Sequence, residues 1–364
     1  MKKSNRVFYP NVPIAITILI AIIFVFGCTT RQPAVAIQNP YANVDWLNHG
    51  RYKANFHTHT TVSDGQANPH EVVDHYQGLG YKVLAITDHN AVTYPWESFS
   101  KLKPSTTSNQ RLNNGALETD QLIYEDRNPA EMNMIAIQGN ELSSHHHLGS
   151  FFSDHNSTQT EQASLDSTAA KNGLTVLFHP GRYQKPVQWY VDLYRNYDHL
   201  IGIEIYNQGD RYPDDRNTWD AILSQTMPER PVWGFSNDDM HSPKVHLGRN
   251  WNIMLLPELS PEWVRRGMEQ GLFFFVYAPK GHDGPQPPAI DSITVDSGRD
   301  LIRIHGSGYE LIEWIADGKV VHQGEQITSA MLPENCSYVR AVLYGTNGNP
   351  ILGTQPFSIK RNKR

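Results

Sequence analysis

Between residues 52 and 277 the hydrophobic pattern alternates in kind. Short, nearly continuous apolar runs at residues 83–86, 134–137, 174–178, 200–206, 231–235 and 251–256 have strand length. Between them lie stretches with helical spacing at residues 69–79, 160–171, 186–197, 215–225 and 261–270, several opened by Ser, Thr or Pro. Such alternation predicts parallel strands covered by helices. Residues 92–133 break the rhythm with Ser, Thr, Asn and Pro, as a lid or mobile loop would. After a Gly- and Pro-rich linker at residues 281–288 the pattern changes again, to short alternating runs at 292–295, 301–305, 312–316, 339–343 and 356–359. These predict a small β-sandwich over residues 286–361, with no plausible catalytic set and a role as wall, spacer or partner surface.

The N-terminus departs from both patterns. Lys2, Lys3 and Arg6 precede an apolar run at residues 12–26, which is the layout of a signal peptide. At 15 residues the run is shorter than the roughly 20 that a spanning helix needs. Val25-Phe26-Gly27-Cys28 resembles a bacterial lipobox, which implies acylation of Cys28. The expected organisation is a lipoprotein signal peptide (1–28), a tether (29–50), a hydrolase domain (51–280) and the β-sandwich. The protein is expected outside the cytoplasm, membrane-anchored through lipid on the periplasmic or outer-membrane face. With Cys28 lipidated, Cys336 is left as a core thiol.

Composition adds limits. A length of 364 residues suits two unequal domains. A net charge of -6 leaves no uniformly basic surface for nucleic-acid phosphates, so no long nucleic acid is expected as a partner.

Candidate chemistry collects where the predicted strands end. In His57-Thr58-His59 the strand period of two puts both imidazoles on one face, within reach of a single metal ion. Ser63-Asp64-Gly65 is a turn able to bring a carboxylate back over the same mouth, and Thr87-Asp88-His89 closes the next apolar run. The order continues through Gly139-Asn140-Glu141, a histidine shortly before Leu148-Gly149, Phe178-His179-Pro180, and Asp239-Met240-His241.

This series resembles the PHP (polymerase and histidinol phosphatase) family over residues 52–277. The resemblance implies an α/β fold, a distorted (β/α)7-type barrel, TIM-like, carrying two or three divalent metal ions. It implies that His57 and His59 bind one metal with Glu141 bridging. Asp64, His89, His146 and His179 would serve neighbouring sites, and Asp239 with His241 would complete the cluster. Family spacing favours His146 within the run His145-His146-His147, with His147 as the alternative. Asp88 is expected to accept a ring N–H and so fix a histidine tautomer. Imidazole and carboxylate without thiolate suit manganese, zinc and iron alike.

Metal-activated water makes a side-chain nucleophile unnecessary. Arg182 adds a guanidinium beside a ligand, shaped for bidentate contact with a phosphate, its alternative being an ion pair with a loop carboxylate. Arg182, Asp64 and His241 form the expected catalytic set. Arg249 and His246 are further candidates, Glu204 reads as a buried, hydrogen-bonded carboxylate, and Tyr94 and Trp96 could stack on a substrate ring. The expected activity is hydrolysis of a small phosphate ester of the nucleotide or sugar phosphate class. The alternatives are an amidohydrolase-like metal hydrolase, and a non-catalytic metal- or glycan-binding lipoprotein if the insert blocks the mouth.

Overall fold

The computed structural model describes residues 35–103, 123–157, 159–348 and 350–361. The expected signal peptide and Cys28 lie outside them. No helix among the described residues is long and apolar enough to cross a membrane.

The protein is a mixed α/β structure with many strands and few helices. Its first half runs through β1 (Val35–Gln38), β2 (Gly50–Asn55), α1 (Pro69–Gly78), β3 (Val83–Ala85), β4 (Ile135–Ile137), β5 (Gly139–Leu142) and β6 (Leu148–Phe151). Then come α2 (Glu161–Ala170), β7 (Leu174–Leu177), α3 (Val187–Asn196), β8 (Leu200–Asn207), α4 (Asp215–Thr226), β9 (Trp233–Asn237), β10 (Asn250–Leu256), α5 (Pro261–Gln270) and β11 (Phe273–Tyr277). The remainder is strands with short 3-10 turns between some of them: β12 (Ala289–Asp296), β13 (Leu301–Ser307), β14 (Leu311–Ala316), β15 (Lys319–Gln323), β16 (Gln326–Thr328), β17 (Tyr338–Tyr344), β18 (Ile351–Gly353) and β19 (Phe357–Arg361).

Local chemistry sets the helix limits. The Glu71 carboxylate accepts from the Asn68 backbone N–H at 2.8 Å, with Pro69 opening α1. In α5, Ser260 caps the first turn by accepting from Trp263 N at 3.3 Å, and Gly271 stops the helix at φ 69°.

The strands form three sheets. One follows the order β1-β19-β17-β18-β11-β10-β2-β3-β4, with β14 and β15 attached beside β17; another is β5-β6-β7-β8-β9; the third is β12-β13-β16. Parallel pairing holds for β2–β3, β3–β4, β7–β8 and β8–β9. The β5–β6 pair is antiparallel instead, because residues 143–147 are too few for a helical crossover. The two larger sheets meet through isolated parallel bridges, Thr58 with Met240 and His89 with Glu141. No continuous ladder closes a barrel among the described residues.

Two expectations about organisation are corrected. Residues 35–38, read as tether, form β1 and pair with β19, while the buried Tyr41 donates its hydroxyl to Phe273 O at 3.1 Å and accepts from Gln355 N at 2.7 Å. Residues 286–361 are not a separate sandwich, because β18 pairs with β11 and extends the same sheet. Gly353 permits that approach, since a Cβ there would collide with the Phe275 ring. Gln355 grips Gly234 twice, at 2.8 and 2.9 Å, which backbone polar groups buried in a sheet require. The region therefore belongs to the same compact unit as the rest of the described residues. Cys336 is a buried free thiol.

Candidate metal centre

Just past β2, His57 and His59 are both completely buried. His57 Nδ1 lies 2.9 Å from Glu204 Oε1. A carboxylate only accepts, so Nδ1 carries the proton and Nε2 is left as a ligand atom facing inward. Glu204, on β8, also accepts from His179 N at 3.0 Å, Asn207 Nδ2 at 3.0 Å and Asn237 Nδ2 at 2.9 Å. It is the satisfied buried carboxylate expected, and it orients a ring.

His59 Nδ1 lies 3.3 Å from Ser63 Oγ, which donates to Asp88 Oδ1 at 2.6 Å. Asp88 also accepts from Thr60 N at 2.8 Å, Thr60 Oγ1 at 2.7 Å and Thr93 Oγ1 at 2.5 Å. Its expected role is corrected: Asp88 braces the loop after β2 and reaches His59 only through Ser63, because its oxygens are occupied by hydroxyl and amide donors.

Three carboxylates converge on these rings. Glu141 Oε2 lies 3.4 Å from His57 Nε2, 3.2 Å from His59 Nε2 and 2.9 Å from His89 Nδ1, while Oε1 lies 2.6 Å from His147 Nδ1 and 3.0 Å from His179 Nε2. Asp239 Oδ1 is 3.3 Å from His57 Nε2 and 3.1 Å from His59 Nε2. Asp64 Oδ1 is 3.2 Å from His241 Nε2 and 3.6 Å from His89 Nε2.

The resulting donor sets overlap: His59, Asp64, His89 and His241; His57, His59 and Glu141; His57, His179 and Asp239; His89, Glu141 and His147. Two observations show that cations fit here. The Nε2 atoms of His57 and His59 face each other at 3.2 Å, and Glu141 Oε2 and Asp239 Oδ1 are buried without a hydrogen-bond donor. Buried acceptors in that condition are costly unless a cation completes them. The all-nitrogen-and-oxygen set matches divalent metals.

The electrostatics agree. Burial alone would raise the Glu141, Asp64 and Asp239 carboxyls, but the surrounding imidazoles outweigh it and hold all three well below the usual range. Burial alone would lower His89, yet Glu141 and Asp64 push it up to about 10. A field that holds protons this firmly also attracts metal cations.

Of the histidine run, the structure brings His147 to the cluster, not the expected His146. His146 is 2 % exposed, stacks between Tyr183 at 4.2 Å and Trp189 at 5.4 Å, and turns Nε2 to Tyr190 Oη at 3.3 Å. Burial holds its pKa well below the ordinary value. His145 Nε2 meets Ser164 Oγ at 2.6 Å. His145 and His146 lie in the bend before β6, and the pairing of β6 between β5 and β7 decides which ring reaches Glu141.

The cluster opens into a cavity of about 590 Å³, lined also by Arg182, Arg211, Gln208, Tyr212 and Ser143. Among the described residues neither arginine makes an ion pair, so no described loop carboxylate takes Arg182. Arg211 Nη1 donates to Gln208 Oε1 at 2.8 Å. Arg211 and Gln208 were not among the sequence candidates, although their place just past a predicted strand end was the available signal. Arg249 does not line this cavity. His246 Nδ1 accepts from His241 N at 3.2 Å, and burial pushes its pKa down to about 4.

The described parts of the insert stay out of the cavity, although Thr93 reaches Asp88 and Tyr124 Oη meets Thr61 Oγ1 at 2.7 Å. Arg127 forks onto Asp74 of α1 at 2.8 and 2.7 Å, and Trp96 is fully buried in the core, so it is no stacking platform. No described residue between 92 and 133 lines the cavity.

No family model matches the chain, and no curated protein matches it. Among solved structures it is similar to a two-domain protein containing a predicted PHP-like metal-dependent phosphoesterase from Bacteroides vulgatus, with 14 % identity, TM-score 0.49, and coverage of 85 % of this chain and 88 % of that one. It is also similar to an amidohydrolase from Chromobacterium violaceum, with 14 % identity, TM-score 0.37, and coverage of 59 % and 95 %. A third is a provisionally assigned metal-dependent phosphoesterase from Bifidobacterium adolescentis, with 14 % identity, TM-score 0.34, and coverage of 52 % and 87 %. At these values the chemistry of this chain rests on its own side chains.

Proposed function

We propose that the protein is a metal-dependent phosphoesterase of the PHP type that hydrolyses a small phosphate ester of the nucleotide or sugar phosphate class. One observation carries the reading: a single cavity joins a buried imidazole and carboxylate cluster to the guanidinium groups of Arg182 and Arg211, neither of which pairs with a carboxylate among the described residues. The donor sets suit two or three divalent ions, of manganese, zinc or iron, held by His57, His59, Asp64, His89, Glu141, His147, His179, Asp239 and His241. When bound, such ions activate water and neutralise developing charge. The chain's own part is to orient and bind. Glu204 presents His57 by its Nε2, and Arg182 and Arg211 offer planar forks that match phosphoryl oxygens.

The strands around the mouth, bridged at Thr58–Met240 and His89–Glu141, are read as an opened (β/α)7-type barrel. Export and anchoring through Cys28 are proposed from the N-terminal pattern alone.

The test is metal content by plasma mass spectrometry, beside a panel of phosphate esters, for the native chain and a His57→Ala, His59→Ala variant. Two or three metals per chain, with phosphate release lost in the variant, support the reading. Metal without phosphate release from any ester would sink the phosphoesterase assignment, and absence of metal after reconstitution would sink the hydrolase.

A further inference from the structure

The loop after β8 reaches the centre through Gln208, which ligates nothing. Gln208 has φ 45°, a left-handed conformation that a residue other than glycine keeps only when its surroundings hold it there. They do. Gly209 N donates to Asn250 Oδ1 at 2.5 Å, Asn250 Nδ2 donates to Gly209 O at 2.9 Å, and Arg216 forks onto Asp210 at 2.7 and 3.1 Å.

Its side-chain amide has one permitted orientation. Arg211 Nη1 can only donate, so the amide atom 2.8 Å away is Oε1, and the opposite end is the NH2 group. That NH2 donates to the carbonyl of Asp239 at 3.0 Å. The same carbonyl lies 2.9 Å from His241 Nδ1. A carbonyl cannot donate, so Nδ1 carries a proton, and Nε2, 3.2 Å from Asp64, is the ring atom aimed at the cluster. The 3.3 Å approach of Gln208 Nε2 to His241 Nδ1 is then a contact between two donors sharing one acceptor. Asp239 is itself left-handed, at φ 43°. Two strained residues thus meet through one hydrogen bond, beside two members of the donor cluster.

Resting on the metal-centre reading above, we propose that Gln208 is a positioning residue. Through the Asp239 carbonyl it holds Asp239 and His241 in their cation-binding orientation, and it ties that pair to Arg211, which faces the substrate cavity. Arg211 keeps further N–H groups for an oxyanion while Nη1 stays on the amide. The amide is therefore the joint between the cationic wall of the cavity and its metal-binding floor.

The test is metal release from the loaded, full-length protein into excess chelator, compared for the native chain, Gln208→Met, Arg211→Ala and the double variant. Methionine keeps the volume and loses both hydrogen bonds. Gln208→Met is expected to release one metal equivalent about 10–100-fold faster, the range seen when a group orienting a ligand is removed. Arg211→Ala should accelerate release less, and the double variant should release no faster than Gln208→Met alone. The thermal midpoint of the metal-free protein should not move, which a merely structural role would not predict. Should Gln208→Met fail to fold, Gln208→Ala takes its place. Native release kinetics in the Gln208 variant, or strictly additive effects in the double variant, overturn the inference while leaving the metal centre standing. A native chain that takes up no metal overturns both.

Discussion

Two buried clusters of ionised side chains among the described residues are treated in opposite ways. Where the C-terminal strands meet α4, Asp220 accepts Arg340 Nε at 2.8 Å, Arg340 Nη2 at 2.7 Å and the Tyr338 hydroxyl at 2.7 Å. The guanidinium lies over the Trp219 ring at 4.9 Å. One anion meets one cation, and every strong contact is filled. At the metal centre, Asp64, Glu141, Asp239 and Glu204 gather around imidazoles, and buried oxygens of Glu141 and Asp239 have no donor. Desolvation penalises both sites, but only the junction answers it from within the chain. A buried charge cluster left incomplete by its own residues points to a ligand; a complete one points to architecture.

The largest expected effect breaks the centre alone. Glu141→Gln combined with Asp239→Asn should abolish metal retention and phosphate release, and the metal-free protein should unfold at a lower temperature as well, because the imidazoles that hold both carboxyls low lose the charges that balance them. Mass spectrometry of bound metal and calorimetry read the two halves. At the junction only stability should respond: Asp220→Ala should lower the unfolding free energy by about 3–5 kcal/mol, and Asp220→Leu with Arg340→Met should recover most of it. Urea unfolding measures this, and metal per folded chain should stay constant.

Glu204→Gln sharpens the contrast more gently. It keeps the shape but turns one acceptor oxygen into a donor, so either the His57 ring proton or the His179 N–H loses its partner, and metal affinity should fall about 10–100-fold by competition with a fluorescent chelator. Unchanged affinity would reduce Glu204 to packing.

The smallest effect concerns Lys53, a half-buried cation between the two extremes. It lies over the rings of Tyr81 at 4.1 Å and Trp251 at 4.3 Å, and burial pushes its pKa down to about 8, opposed by attraction to Asp238. An unfolded lysine keeps its proton to about 10.4, so between those values the unfolded chain binds more protons and stability rises with pH. Relative to Lys53→Met, the native chain should gain on the order of 1 kcal/mol from pH 8 to 10.5. A flat difference across that window would show the ammonium to be solvated.

The sequence by itself determined the elements and most of the meeting points. Period-two spacing placed His57 beside His59, and Asp64, His89, Glu141, His179, Asp239 and His241 each stand at or just past a strand end, which is why the folded chain brings them to one mouth. The five α-helices among the described residues also lie close to their predicted positions, since caps and 3.6-residue periodicity are local properties. What only the tertiary structure decided is relational. Three consecutive histidines carry no signal for which ring faces Glu141; the ladder of β6 with β7, extended by Phe178 N donating to His147 O at 3.1 Å, selects His147. Asp88 looked like a histidine partner until the loop after β2 folded its hydroxyls onto it. Arg211 and Gln208 reach the cavity because Asn250, distant in sequence, pins their loop. The tether and the separate sandwich dissolved because β1 found β19 and β18 found β11, and strand partnership is a long-range choice that alternation within a strand cannot encode.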